Sequence, residues 1–197
     1  MKIAFCLIAI FLSASSSAQG VVKADVVNVT PAISRDESGI NSCGINFMVG
    51  SMEGEAKATV FDFSLNVYSD GYGLIKAGSQ AMRFSKTKGW DFDGKNARMP
   101  RPVLVWMAKR DDSVSIRPLR YTSADNKGYV IAPTDMADAA KLLFATVEGE
   151  PLQVSIQYAS DRFHQVMGFR AAMNQDDRDS VTECINGLAK RVEKESQ

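Results

Sequence analysis

The chain is poor in the residues that most often carry chemistry: among its 197 residues there is one histidine, His164, and there are three cysteines. A zinc or iron centre needs several imidazole, thiolate or carboxylate ligands gathered together, so no metal is expected. The same shortage leaves a Ser-His-Asp or Cys-His mechanism with one imidazole to draw on, and no Gly-x-Ser-x-Gly elbow is present. No cofactor motif is found either. Charge of one sign is also missing: 23 basic residues balance 23 acidic ones. Without a basic stripe carrying interleaved aromatics, nucleic acid is not an expected partner. After the N-terminal region no apolar run approaches the 20 or so residues that a membrane-spanning helix needs, so no span is expected in the mature chain.

What is present begins with an export pattern. Lys2 gives a positive start, Ile3 to Leu12 are uninterruptedly apolar, and Ser13-Ala14-Ser15-Ser16-Ser17-Ala18 supplies the small residues that signal peptidase accepts. Residues 1–18 therefore read as a cleaved signal peptide, with Ser16 and Ala18 at the minus-three and minus-one positions. Residues 19–197 read as a single globular exported domain, of a length that can bury its own core. Cys6 leaves with the signal. Cys43 and Cys184 remain as an even pair, and in an oxidising compartment they are expected to form a disulfide. The expected location is the bacterial periplasm, or secretion.

Periodicity gives the elements. Residues 19–40 read as an edge strand or an arm. Cys43, Ile45, Phe47 and Val49 alternate with smaller or polar residues. Thr59, Phe61, Phe63, Leu65 and Val67 do so even more clearly, and Leu152, Val154, Ile156 and Tyr158 repeat the pattern. Ser69 to Gly73 is a turn leading to a short strand at Leu74 and Ile75, with a separate one through Met82 and Phe84. Val103 to Met107 reads as a strand covered on both faces, Val114 and Ile116 as a further strand, and Tyr129 to Ile131 as another. Two helices are predicted in the C-terminal half. The first is capped by Thr134 or Asp135, ends at Gly149 and buries Met136, Ala139, Ala140, Leu143, Phe144 and Val147. The second runs from Asp177 to Val192 with Val181, Cys184, Ile185, Leu188 and Val192 inward. The fold class is α+β, mainly antiparallel sheet or sandwich with two helices.

Several local patterns invite chemistry and fail on context. Ser85-Lys86-Thr87-Lys88 matches Ser-x-x-Lys, but Gly89-Trp90 follows where a helix would have to continue. Asp91-Phe92-Asp93-Gly94 has calcium-type ligands at the wrong spacing. His164 falls in a polar connection, Asp161 to Gln165. Glu53, Glu55, Glu148 and Glu150 are the carboxylates a small envelope hydrolase would use. Tyr68, Tyr72, Trp90 and Phe92 cluster near turns, where aromatic rings either fold back on the sheet or bind something. They form the candidate interaction surface, and an inhibitor or immunity protein that plugs an enzyme cleft would present rings in this way.

Residues 112–173 also show a familiar order of features: Val114 and Ile116, Arg117-Pro118-Leu119, Gly128-Tyr129-Val130, a helix ending at Glu148-Gly149-Glu150, Pro151-Leu152-Gln153-Val154, and Met167-Gly168-Phe169-Arg170-Ala171-Ala172. This stretch, about a third of the chain, resembles the invasion-associated locus B family of exported, β-rich bacterial proteins. That family is linked to host-cell entry; for this chain the resemblance implies an envelope location and a non-enzymatic role, and leaves a part in host-cell entry open. The family usually carries a cysteine pair near the position of Ser123 to Tyr129, which this chain replaces with Cys43 and Cys184. The resulting expectation is a non-catalytic binding or interaction protein with a protein partner in the envelope.

Overall fold

A computed structural model describes residues 19–87, 89–92, 102–118, 121–123, 128–159 and 164–195. The expected signal peptide, residues 1–18, Lys88 of the Ser-x-x-Lys match, the expected turns at Asp93-Gly94 and Asp125 to Lys127, and Asp161 to Phe163 lie outside the described residues.

The molecule is α+β, with two mainly antiparallel sheets and two helices. Among the described residues the larger sheet is built from β2 (Val26–Asp36), β3 (Gly39–Met52), β4 (Lys57–Tyr68), β5 (Tyr72–Ser85), β10 (Tyr129–Asp135) and β9 (Thr122–Ser123), in that order. β6 (Gly89–Phe92) joins it alongside β5. The smaller sheet runs β1 (Gln19–Val22), β12 (His164–Arg170), β11 (Pro151–Tyr158), β7 (Pro102–Lys109) and β8 (Ser115–Ile116). The α-helices are α1 (Met136–Val147) and α2 (Gln175–Glu195).

The long strands alternate because one face meets the core and the other meets water. Cys43, Ile45, Phe47, Phe63, Leu65, Val67, Ile75 and Ala77 are all fully buried on one side of the larger sheet. On them pack the inner residues of the smaller sheet, Val105, Met107, Leu152, Val154, Ile156 and Met167, to make one continuous core. The two sheets also meet through the Phe47 and Phe169 rings, 5.8 Å apart, and through a 2.5 Å hydrogen bond between Ser79 Oγ and Tyr158 OH.

The Cys43–Cys184 disulfide is present, with the α-carbons 5.7 Å apart, and it fixes α2 to β3. Asn174 opens α2 by accepting a hydrogen bond from the Asp177 N–H at 2.8 Å. Near the other end, Arg191 donates to Asp36 at 3.2 Å and to the Ile40 carbonyl at 3.0 Å. The inward stripe of α2 is as expected for Val181, Cys184, Ile185 and Leu188, whereas Val192 is half-buried.

Several expected elements take a different form. The strands at Leu74-Ile75 and Met82-Phe84 are one strand, β5, because β10 and then β6 pair along the same edge of it. β7 is not covered evenly on both faces: Leu104 and Trp106, on the outer side, are half-buried, and Val103, near the start of the strand, is exposed. The strand expected through Val114 and Ile116 shrinks to Ser115–Ile116. Asp135, not Thr134, caps α1, accepting from the N–H groups of Ala137 and Asp138. The buried stripe of α1 is Ala139, Leu142, Leu143, Ala145 and Thr146, and Phe144 is exposed. α1 touches β4, β5 and β10 of one sheet and β7, β8 and β11 of the other, so a wide arc is covered and the expected narrow stripe is displaced. Finally, His164 is not in a polar connection; it opens β12, which β1 joins in parallel. Residues 19–40 are strand throughout most of their length, with β2 at the sheet edge.

Candidate functional site

The outer face of the larger sheet carries the candidate interaction residues. Antiparallel pairing puts opposed residues on the same side. Register places Met52, Ala58, Met82 and Phe92 in one row across β3, β4, β5 and β6, and Phe84 opposite Trp90 in the next. The period of two then assigns Tyr68, Tyr72, Lys76, Gln80, Met82 and Phe84 to this face, opposite to buried Ile75 and Ala77. The core and both helices lie on the other face, through Cys43, Phe47 and Phe63.

The expected aromatics fall into two pairs. Tyr68 and Tyr72 stack with centroids 4.7 Å apart and ring planes 10° from parallel, on either side of the β4–β5 turn. Trp90 meets Phe84 at 5.5 Å and 58°. The pairs sit at opposite ends of β5, about 40 Å apart at ~3.3 Å per residue. Phe92 holds its register position opposite Met82; its side chain is outside the described set. Beside Trp90 the surface is apolar: Phe84 lies opposite it and Met52 stands in the adjacent row, each of the three leaving about 40% of its area exposed. Met48, 46% exposed, lies farther along β3 in the row of Asp62 and Gly78, and Val26, 59% exposed, lies on the edge strand β2. Sequence reasoning found Trp90 but missed Met52 and Phe84, which come to its end of the face only through cross-strand register.

Between the aromatic pairs lies a polar group. Tyr129 OH donates to Asp62 Oδ2 at 2.8 Å and accepts from Gln80 Nε2 at 3.0 Å. Lys76 Nζ lies 4.6 Å from the centroid of the same ring. The ring sits against Gly78, where a Cβ would come within 2.6 Å of Tyr129 Cδ1, so this approach requires glycine. Burial, then the hydrogen bond and charge of Asp62, push the Tyr129 phenol up to about 12 from its ordinary 10.0. A phenol that holds its proton more tightly in the folded state contributes stability that is whole below pH 10 and is lost as pH rises toward 12. Ultraviolet titration is therefore expected to retain a component that ionises near pH 12, Tyr68 and Tyr121 also being raised above the ordinary range, with unfolding stability falling over the same interval, and Tyr129→Phe is expected to remove one phenolate from that latest component. A wild-type titration complete by pH 11 would reject this assignment.

The other sequence candidates do not assemble. Glu53 Oε1 accepts from Thr59 Oγ1 at 2.7 Å in the β3–β4 connection, and Glu150 pairs with Lys109 at 3.3 Å in the α1–β11 connection. Among the described residues no contact joins the two carboxylate pairs. Ser85 ends β5 at a hairpin, and its Oγ lies 3.0 Å from Thr87 Oγ1. His164 Nδ1 lies 3.3 Å from Ser155 Oγ, a contact that the sequence did not suggest. Ser155 is fully buried, so this hydroxyl is not available to attack a substrate. Among the described residues no group of three or more His, Cys, Asp or Glu is gathered to hold a metal, and no helix is long and apolar enough to cross a membrane.

A disulfide-bonded α+β protein with two packed sheets, one presenting an aromatic and methionine-bearing outer face, is the class these features define. No family model, no curated protein and no solved structure matches the chain.

Proposed function

We propose that this chain is an exported protein of the bacterial envelope, periplasmic or secreted, that binds a protein partner and has no catalytic activity. The observation that carries this reading is the outer face of the larger sheet, which exposes Met52, Phe84 and Trp90 at one end and Met48 and Val26 farther along β3 and β2. Aromatic residues and methionine are enriched at the centres of protein interfaces, and methionine's flexible thioether adapts to a partner's shape. Compartment and partner type draw further support from the signal-like segment at residues 1–18, the disulfide and the resemblance across residues 112–173 to the invasion-associated locus B proteins.

Site-specific photocrosslinking in cells expressing the full chain tests the reading. A benzophenone amino acid at Met48 or Trp90 is expected to trap a discrete protein adduct, whereas the same probe at Phe144, exposed on α1, is not. Equal adducts from all three positions, or turnover of cell-wall or lipid substrates by the purified protein, would defeat it.

A further inference from the structure

A second surface, on the opposite sheet, is independent of that reading. At one end of the smaller sheet, Arg110 donates its backbone N–H to the Pro151 carbonyl at 2.9 Å, and Pro151 stands opposite Arg170. The two arginines thus flank Pro151 from either side, with their strands two spacings, about 10 Å, apart. In the next row on the same face come Ala108, Gln153 and Gly168. β1 runs parallel to β12 as far as Val22 beside Met167, which brings Lys23 level with Gly168.

These residues line a cleft of about 630 Å³. Among the described residues Arg110, Arg170 and Lys23 border it and no acidic residue does, in a chain whose 23 basic and 23 acidic residues balance overall. Lys23 is partly neutralised by Asp25 at 2.5 Å. Among the described residues neither guanidinium meets a carboxylate: Arg170 donates to the Gly149 carbonyl at 3.3 Å, and Arg110 has no side-chain partner. Gln153 adds an amide at the floor, where Gly168 leaves open the room that a larger side chain would fill; a Cβ there would meet only the Leu152 carbonyl, at 3.9 Å. The apolar wall on this face comes from Val21 and Val166, while Val22, Leu152 and Phe169 border the cleft with their side chains turned to the core.

Two arginine forks without a carboxylate partner, above an apolar wall, match a ligand with an acidic head and a hydrocarbon body. Guanidinium groups engage carboxylate or phosphate oxygens bidentately, and the volume is that of a small-molecule site. We infer that the cleft between β1, β12 and the start of β11 binds a small anionic amphiphile, through Arg110 and Arg170 at its acidic head and Val21 and Val166 along its chain.

Calorimetric titration of the folded protein with decyl phosphate, decanoate, decyl maltoside and inorganic phosphate, each below micelle-forming concentration, tests this. Decyl phosphate or decanoate is expected to bind at least tenfold tighter than either decyl maltoside or inorganic phosphate, and the better of the two identifies the head group. Arg110→Ala/Arg170→Ala is expected to weaken that binding by about a hundredfold, the equivalent of one to two charge-assisted hydrogen bonds. Arg110→Lys/Arg170→Lys should recover part of it, and Gly168→Val should block the cleft. Arg35→Ala, on the other sheet, serves as the charge control and should bind as wild type. Equal binding of decyl maltoside, equal binding of inorganic phosphate, no binding of any probe, or an alanine pair that binds like wild type while keeping its thermal midpoint would each overturn the inference.

Discussion

Replacing both Cys43 and Cys184 with serine is expected to lower unfolding stability by about 3 to 5 kcal/mol. The bridge spans 141 residues of sequence, and the chain-entropy model gives about 5 kcal/mol for a loop of that length, from which any native strain subtracts. The location of the bridge adds a structural reason. α2 docks through a stripe of Val181, Cys184, Ile185 and Leu188 against the larger sheet, and its remaining faces are polar or solvated. A stripe of that width is a modest anchor for 21 residues of helix, so the covalent link carries a large share of the attachment. Urea unfolding should show the lower midpoint together with a steeper denaturant dependence, because an unbridged chain exposes more surface when unfolded. At 2 to 4 °C per kcal/mol for a chain of this size, the thermal midpoint should fall by roughly 10 °C. Hydrogen exchange should locate the first losses of protection in α2. A stability loss below about 1 kcal/mol would mean that α2 is held by packing alone.

The second large effect is expected at Phe47. Its ring is fully buried, projects from the middle of β3 and meets Phe169 of the smaller sheet at 5.8 Å. Phe47→Ala removes apolar area and leaves a cavity where the sheets touch, a combination that costs about 3 to 5 kcal/mol in well-packed cores. Phe84→Ala is the matched control. That ring leaves 41% of its area exposed and contacts Trp90 on the solvent side, so its loss should cost under about 1 kcal/mol. Similar losses for the two variants, measured by denaturant unfolding, would contradict the division into a core face and an outer face. Because Phe47 ties the larger sheet to the smaller, its variant should still unfold in a single transition if the shared core acts as one cooperative unit.

The parts of the fold that were legible in the sequence are those where one strand meets core on one side and water on the other along its whole length. β3, β4 and β11 meet that condition, and Cys43 to Val49, Thr59 to Val67 and Leu152 to Tyr158 show it residue by residue. β5 meets it for half its length. Beyond Ser79 the inward position Arg83 is exposed and the outward positions carry Met82 and Phe84, so the alternation reverses in polarity and the strand seemed to break. β12 hid behind Gly168, and β1 is stabilised by a parallel pairing with residues far along the chain, which no local pattern announces. In α1, packing against two sheets at once widened the buried arc beyond the 3.6-residue stripe and turned Phe144 outward.

The candidate surfaces divide in the same way. Trp90 and the tyrosines could be named as exposed rings from their turn positions. Their shared side, and the company of Met52 and Phe84 at the Trp90 end, required register across β3 to β6. The cleft of Arg110 and Arg170 had no sequence signature, since the two residues are brought together only because each neighbours Pro151 on a different strand.

By itself the sequence determined the α+β class, the pairing of Cys43 with Cys184, the two C-terminal helices and the inward side of β3, β4 and β11. These follow from local periodicity and from the parity of thiols, which depend on near neighbours or simple counts. The tertiary structure alone decided which strands adjoin, which rings share a face and which cations converge. Those depend on pairing register between segments distant in sequence, and a period of two fixes the side on which a residue points without fixing the strand it will lie beside.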